Sequence, residues 1–139
     1  MGTIEGGCLC GAVTYSSPAE PVMTAICHCK DCQKQSGSAF SLVVVAPKDG
    51  FDVSGEPSTF ETIGEETGEP NVRHFCSNCG SPLWSDSPLM PGMVIVKAGT
   101  LNDTSGLQPA LEVWGRSAHD WVGEAPEGRM RVPTGPPAG

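Results

Sequence analysis

Apolar and polar positions along this chain alternate in short bursts that fit strands better than helices. Residues 12–15, Ala-Val-Thr-Tyr, and 22–26 read as two short strands, separated by a Pro-containing break at 17–21. Residues 38–46, Ser-Ala-Phe-Ser-Leu-Val-Val-Val-Ala, form the longest β-branched run, which predicts a central strand covered on both faces. Shorter strands are predicted over 51–53, 59–62, 72–75, 93–98 and 111–114, and a solvated loop over 64–71, where three Glu, two Gly and a Pro fall together. Only residues 30–36, Lys-Asp-Cys-Gln-Lys-Gln-Ser, combine good helix formers with no Gly or Pro; they predict one or two helical turns stopped by Gly37. The pattern predicts an all-β domain with one short helix.

Composition narrows this picture. The 139 residues suit one domain, with 1–123 as its body and 124–139 as a Pro/Gly-rich, irregular tail. With 18 Gly, 13 Pro, four Phe and one Tyr, turns are plentiful and large core residues few. A bound metal is therefore expected to carry part of the stability, since a structural zinc contributes on the order of 10 kcal/mol to a small fold. The formal charge of −8 makes nucleic acid or an anionic membrane surface a poor partner. The basic residues are scattered, with Lys30 and Lys34 the only pair near the central cysteines. Residues 1–7 lack the basic start and apolar run of a secretion signal, and the longest apolar run, 42–46, cannot span a bilayer, so a cytoplasmic setting is expected.

The cysteines carry the chemistry. All seven lie in three clusters: Cys8-Leu9-Cys10, Cys27-His28-Cys29-Lys30-Asp31-Cys32 and Cys76-Ser77-Asn78-Cys79. Four thiolates close a tetrahedral zinc site and three leave one corner open, so seven divides into a closed site and an open one. Disulfides need an oxidising compartment, and Cys-x-Cys pairs bridge awkwardly, so metal binding is the favoured use; a dithiol role remains open for Cys76 and Cys79. On a helical turn Cys29 and Cys32 share one face, Cys27 can converge from the end of the preceding strand, and a helix start favours thiolate over thiol. The competing arrangement makes all three ordinary zinc-ribbon ligands, with a fourth from His28, His74 or an acid. Spacing alone does not say which two clusters share a metal. The chain has no internal repeat beyond these turns, and no phosphate loop, Gly-x-Ser-x-Gly elbow or His-Glu-x-x-His helix.

Taken in order, Gly7-Cys8-x-Cys10-Gly11-x-Val13, Cys27-His28-Cys29-x-x-Cys32 with Ser36-Gly37-Ser38-x-Phe40, Phe75-Cys76-x-x-Cys79-Gly80-x-Pro82, Gly99-Thr100-Leu101 and Trp121 resemble the glutathione-dependent formaldehyde-activating enzyme family, which includes the centromere protein V-type domains. The likeness runs from about residue 6 to 122. It implies an all-β, Mss4-like fold with two zinc ions per chain. Cys8, Cys10, Cys76 and Cys79 would hold a structural zinc, and Cys27, Cys29 and Cys32 a catalytic zinc with an open position. The implied activity is condensation of formaldehyde with glutathione to S-(hydroxymethyl)glutathione, a carbon–sulfur lyase in the reverse sense, so the expected partners are a small thiol such as glutathione and an aldehyde. A zinc with three Cys ligands is soft and suits a substrate thiolate.

Further roles follow less directly. Lys30 and Lys34 either attract the carboxylates of a peptide thiol or are exposed helix lysines. His28, Asp31 and Ser36 are candidates for positioning or proton transfer, while His74 and His119 are expected to pack or sit at the surface. Many family members carry a His in the segment matching residues 109–114, where Glu112 stands here; its carboxylate could accept a proton or bind a cationic substrate group. Two other classes compete with the enzyme: a non-catalytic zinc module that binds a protein partner, and a methionine sulfoxide reductase-like redox enzyme. The latter needs a lone nucleophilic Cys outside the clusters, and the chain has none.

Overall fold

The computed structural model describes residues 4–64 and 68–136. A small antiparallel sheet, ordered β1-β2-β5, is formed by β1 (Ile4–Gly7), β2 (Thr14–Ser17) and β5 (Asp52–Ser54). The other strands are β3 (Met23–Cys27), β4 (Ser41–Pro47), β6 (Ser58–Ile63), β7 (Pro70–Phe75), β8 (Pro82–Asp86), β9 (Met93–Lys97), β10 (Leu111–Val113) and β11 (Met130–Arg131). They build one large sheet in the order β11-β10-β3-β4-β9-β8-β7-β6. Its pairs are antiparallel except that β10 runs parallel to both β3 and β11. The single α-helix among the described residues, α1 (Lys30–Ser36), follows β3 directly. The fold is all-β and Mss4-like, as the family resemblance implies.

The large sheet is apolar on both faces near its centre, because β4 and β9 have almost no polar alternation. Val44 and Ala46 on β4 and Val94 and Val96 on β9 face one way, and with Trp84 they pack against Ile4, Val13 and Tyr15 from the region of the small sheet. Tyr15 stacks on Phe51 at 5.4 Å between ring centres and meets the edge of Trp84 at 6.4 Å. The residues between them, Val43, Val45, Ile95 and Lys97, turn to the opposite face, which carries α1 and a cavity. β4 is thus central, as its β-branched run predicts.

α1 begins and ends where its sequence says. Cys29 is the N-cap, its sulfur accepting the Cys32 N–H, and Gly37 closes the helix with a φ of 63°, a left-handed conformation that glycine adopts without strain.

Several strands depart from the sequence reading. β1 precedes the first cysteine turn without a strand having been predicted there, and its Gly6 is needed because a Cβ would collide with the Tyr15 ring and the Thr100 carbonyl. β7 starts at Pro70, inside the segment read as a loop; residues 65–67 of that loop lie outside the described residues. β8 follows the second cysteine turn, its Pro82 at the first position, where no ladder hydrogen bond is lost. The tail read as irregular contributes β11, which adds to the sheet beside β10.

Burial ranks the consequences of truncation. Leu83 has no solvent exposure, whereas Phe60 on the edge strand β6 is 64% exposed. Leu83→Ala is expected to cost about 2–5 kcal/mol and Phe60→Ala less than about 0.5 kcal/mol in urea unfolding at fixed metal load.

Candidate functional site

Two turns distant in sequence bring four sulfurs together. The Sγ atoms of Cys8, Cys10, Cys76 and Cys79 all lie within 4.8 Å of one another. Sulfurs about 2.3 Å from one zinc are separated by about 3.8 Å along each edge of the tetrahedron. Cys8 and Cys10 approach to 3.6 Å, and Cys10 and Cys76 to 3.8 Å. Spacing and donor type therefore both fit a tetrahedral thiolate site. Three donors orient the sulfurs: Val13 N–H donates to Cys8 Sγ and Asn78 Nδ2 to Cys10 Sγ, each at 3.3 Å, and Ser81 Oγ lies 3.2 Å from Cys79 Sγ. The Ser81 hydroxyl and backbone hold the Cys79 thiol down to about 5. Ser81 Oγ also accepts Leu9 N–H at 3.1 Å, linking the two turns directly.

The remaining three cysteines converge at the end of β3. Cys27 is the last residue of that strand, Cys29 caps α1 and Cys32 lies in its first turn, and their sulfurs also fall within 4.8 Å of one another. Among the described residues no His or acid joins them as a fourth ligand, so the zinc-ribbon arrangement with His28, His74 or an acid is not formed. Hydrogen bonds from Cys27 and Cys29, helped by the positive field of Lys97 and Arg73, push the Cys32 thiol down to about 2, while the same sharing pushes Cys27 up. One thiolate thus forms readily and a metal would displace the other protons. Gln33, which sequence reasoning missed, ties the turn down: its Nε2 donates to the His28 carbonyl at 2.7 Å and to the Ser117 carbonyl at 3.1 Å.

A cavity of about 240 Å³ opens beside this triad, and all three cysteines line it. Its walls come from alternate residues of four adjoining strands: Leu111 and Val113, Met23 and Ala25, Val43 and Val45, and Ile95. Lys30 and Asp31 line it as exposed side chains, whereas Lys34, Ser36 and His28 do not. The buried cations of the cavity are instead Arg73 and Lys97, from β7 and β9. A lysine ending the strand Met-Val-Ile-Val-Lys, in register with Ile95 and Met93, was the available signal for Lys97. Burial drives its ammonium below the usual lysine range, and the Cys32 thiolate partly offsets that effect. Trp114 also lines the cavity, and it is the only non-glycine among the described residues with positive φ, 57°.

Glu112 has a different role from either expected one. Its neighbours Leu111 and Val113 face the cavity, so Glu112 points to the other side of β10, where it is buried. Its Oε1 lies 2.6 Å from His28 Nε2 and accepts from Arg131 Nε at 2.8 Å, while Oε2 accepts from Arg129 Nη1 at 3.2 Å. The carboxylate is spent on these partners and is not offered to a ligand. Through His28 it fixes the residue between Cys27 and Cys29, and the His28 N–H bonds the Val113 carbonyl at 3.0 Å. His74 stacks on Trp84 and bonds Asp86 at 3.0 Å, and His119 stacks on the exposed Trp121, so both have the packing and surface roles expected.

Comparison with known proteins places the chain. The glutathione-dependent formaldehyde-activating enzyme family profile matches residues 3–117. A Halomonas elongata protein, provisionally named a glutathione-dependent formaldehyde-activating enzyme, is 31% identical over 125 residues, covering 86% of this chain and 79% of its own. An Aspergillus flavus protein with the same provisional name is 30% identical over 107 residues, covering 73% of this chain and 54% of its own, so this chain spans about half the fungal protein. A crystal structure of a Rhodobacter sphaeroides protein superposes with a TM-score of 0.58 at 18% identity, covering 92% of this chain and 99% of that one. The chain belongs to the glutathione-dependent formaldehyde-activating enzyme family. Among the described residues no helix is long and apolar enough to cross a membrane.

The Glu112 network makes a prediction with a definite sign. Burial alone would raise the Glu112 carboxyl, but the bonds from His28, Arg131 and Arg129 outweigh it and hold the group below the usual range. A lowered carboxyl stabilises the fold fully above its unfolded value of about 4.3 and loses that effect as pH falls through the folded value. Glu112→Gln is therefore expected to cost about 3 kcal/mol at pH 6–8. The stability difference between wild type and variant, measured by urea unfolding, should shrink below about pH 4.

Proposed function

We propose that this protein is a zinc-dependent carbon–sulfur lyase that joins a thiol such as glutathione to an aldehyde such as formaldehyde and cleaves the adduct in reverse. The observation that carries the reading is the unequal use of the cysteines. Four sulfurs surround one point as a closed set, while three meet at the wall of a cavity large enough for a small ligand. Cys8, Cys10, Cys76 and Cys79 are assigned a structural zinc, and Cys27, Cys29 and Cys32 a catalytic one, in a soluble cytoplasmic enzyme.

At the triad, zinc would supply a soft site that favours a thiol in its ionised form. The chain's own residues do the rest. Val43, Val45 and Ile95 exclude water from one side of the thiol and restrict the aldehyde to the space beside it. As the carbon–sulfur bond forms, the carbonyl electron pair moves to oxygen, and the proton the thiol gave up ends on that oxygen. Asp31, the one carboxylate lining the cavity among the described residues, would carry that proton. No electrons are exchanged, so no oxidant or reductant is needed. The His28–Glu112 pair and Gln33 hold the cysteine turn in place during the reaction.

The names of the family and of the Halomonas elongata relative support this reading, since each pairs glutathione with formaldehyde activation. A redox role of the methionine sulfoxide reductase kind has no cysteine to use, because all seven fall in the two metal-type clusters.

Four variants test the division. Cys8→Ser and Cys79→Ser are expected to abolish the native circular dichroism spectrum, as loss of a structural metal would. Cys29→Ser and Cys32→Ser should keep that spectrum while slowing glutathione–formaldehyde exchange, followed by NMR, at least about 100-fold. Equal unfolding of all four, or normal exchange in the last two, would overturn the assignment.

A further inference from the structure

Arg73 and Lys97 are the charged residues buried in the cavity wall, with exposures of 6% and 7%. Taking a guanidinium or an ammonium out of water costs several kcal/mol unless an opposite charge answers it. Their protein partners are neutral. Arg73 donates from Nε to Thr62 Oγ1 at 3.0 Å and from Nη1 to Gln35 Oε1 at 3.5 Å, and Lys97 Nζ donates to Ser41 Oγ at 2.7 Å. Among the described residues no carboxylate pairs with either, in contrast to Arg129 and Arg131, which share Glu112.

Arg73 stands on β7, two strands beyond the β9 that carries Lys97, and reaches back to α1 at Gln35, so the two cations share one wall of the cavity. The hydrogen bonds of Arg73 to protein among the described residues leave from Nε and Nη1, and none leaves from Nη2. A guanidinium edge facing a cavity matches a planar carboxylate, which it can bind through two parallel hydrogen bonds.

We propose that Arg73, assisted by Lys97, is a carboxylate-recognition subsite that selects thiols bearing a carboxylate several bonds from the sulfur. This rests on the reading of Cys27, Cys29 and Cys32 as the thiol site. The sulfur sits at the triad, the carboxylate at Arg73, and the intervening chain lies along the apolar wall of Val43, Val45 and Ile95. A small uncharged thiol satisfies only the first of these contacts. Selection therefore acts on the thiol, and the aldehyde is left the space between.

The test is isothermal titration calorimetry of the zinc-loaded protein with 6-mercaptohexanoate and 6-mercaptohexanamide, which match in length and differ in charge. Wild type is expected to bind the acid about 10- to 100-fold more tightly than the amide. Arg73→Met should reduce that preference below about threefold while leaving amide affinity within about twofold, and Lys97→Met should reduce it in part. Arg73→Lys keeps the buried charge but loses the two-pronged edge; it should also lower the preference, and it serves where Arg73→Met does not fold. Equal binding of both thiols by wild type would overturn the subsite and leave the thiol site standing. Equal weakening of acid and amide in the variants would overturn it too, by showing that the two cations serve the metal–thiolate cluster alone. Binding of neither thiol would overturn the thiol site and the subsite together.

Discussion

Four sulfurs drawn from turns 66 residues apart meet within a few ångströms, and much of the remaining architecture follows from that meeting. It pins the turn between β1 and β2 against the turn between β7 and β8. This holds the small sheet over one apolar face of the large one, where Tyr15, Phe51 and Trp84 interlock. In a chain with so few large side chains, the four-sulfur cluster and this aromatic contact support each other. Sulfurs this close carry little charge repulsion only when protons or a metal ion sit among them.

The same large sheet is apolar on its other face, and there the cover is incomplete. α1 is seven residues long and cannot span eight strands, so a cavity remains between it and the strands. The three remaining cysteines sit at the junction of β3 and α1, where this space begins. Their position is set from behind by the buried His28–Glu112 pair and from above by Gln33. The site is thus built on rigid elements, and the chain's strained Trp114 lies at its border, a common place for backbone strain to be retained.

Much of this was legible in the sequence. The β-branched run within residues 38–46 announced a central strand, observed as Ser41–Pro47, and Gly37 announced the end of the helix. The cysteine count pointed to one closed and one open set of sulfurs, although only the resemblance to a family, and then the fold, paired Cys8 and Cys10 with Cys76 and Cys79. What the sequence hid depends on contacts between distant residues. Arg73 and Lys97 look like ordinary scattered basic residues until strand register sets them in one wall. Glu112 looked like a ligand group because it stands where many family members carry a His, yet Leu111 and Val113 face the cavity and period-two alternation turns Glu112 to the opposite face. β11 is two residues in a Pro/Gly-rich segment, and it exists because β10 offers an unpaired edge and Glu112 anchors Arg129 and Arg131.

The central claim is that seven cysteines make one closed metal site and one that exchanges ligands with a thiol. Native mass spectrometry of the purified chain, before and after addition of glutathione, reads this directly. The account predicts two zinc ions per chain, with glutathione either adding to the two-zinc species or removing one zinc and never both. A single zinc per chain, or two zinc ions whose masses and occupancy are indifferent to glutathione, would contradict it.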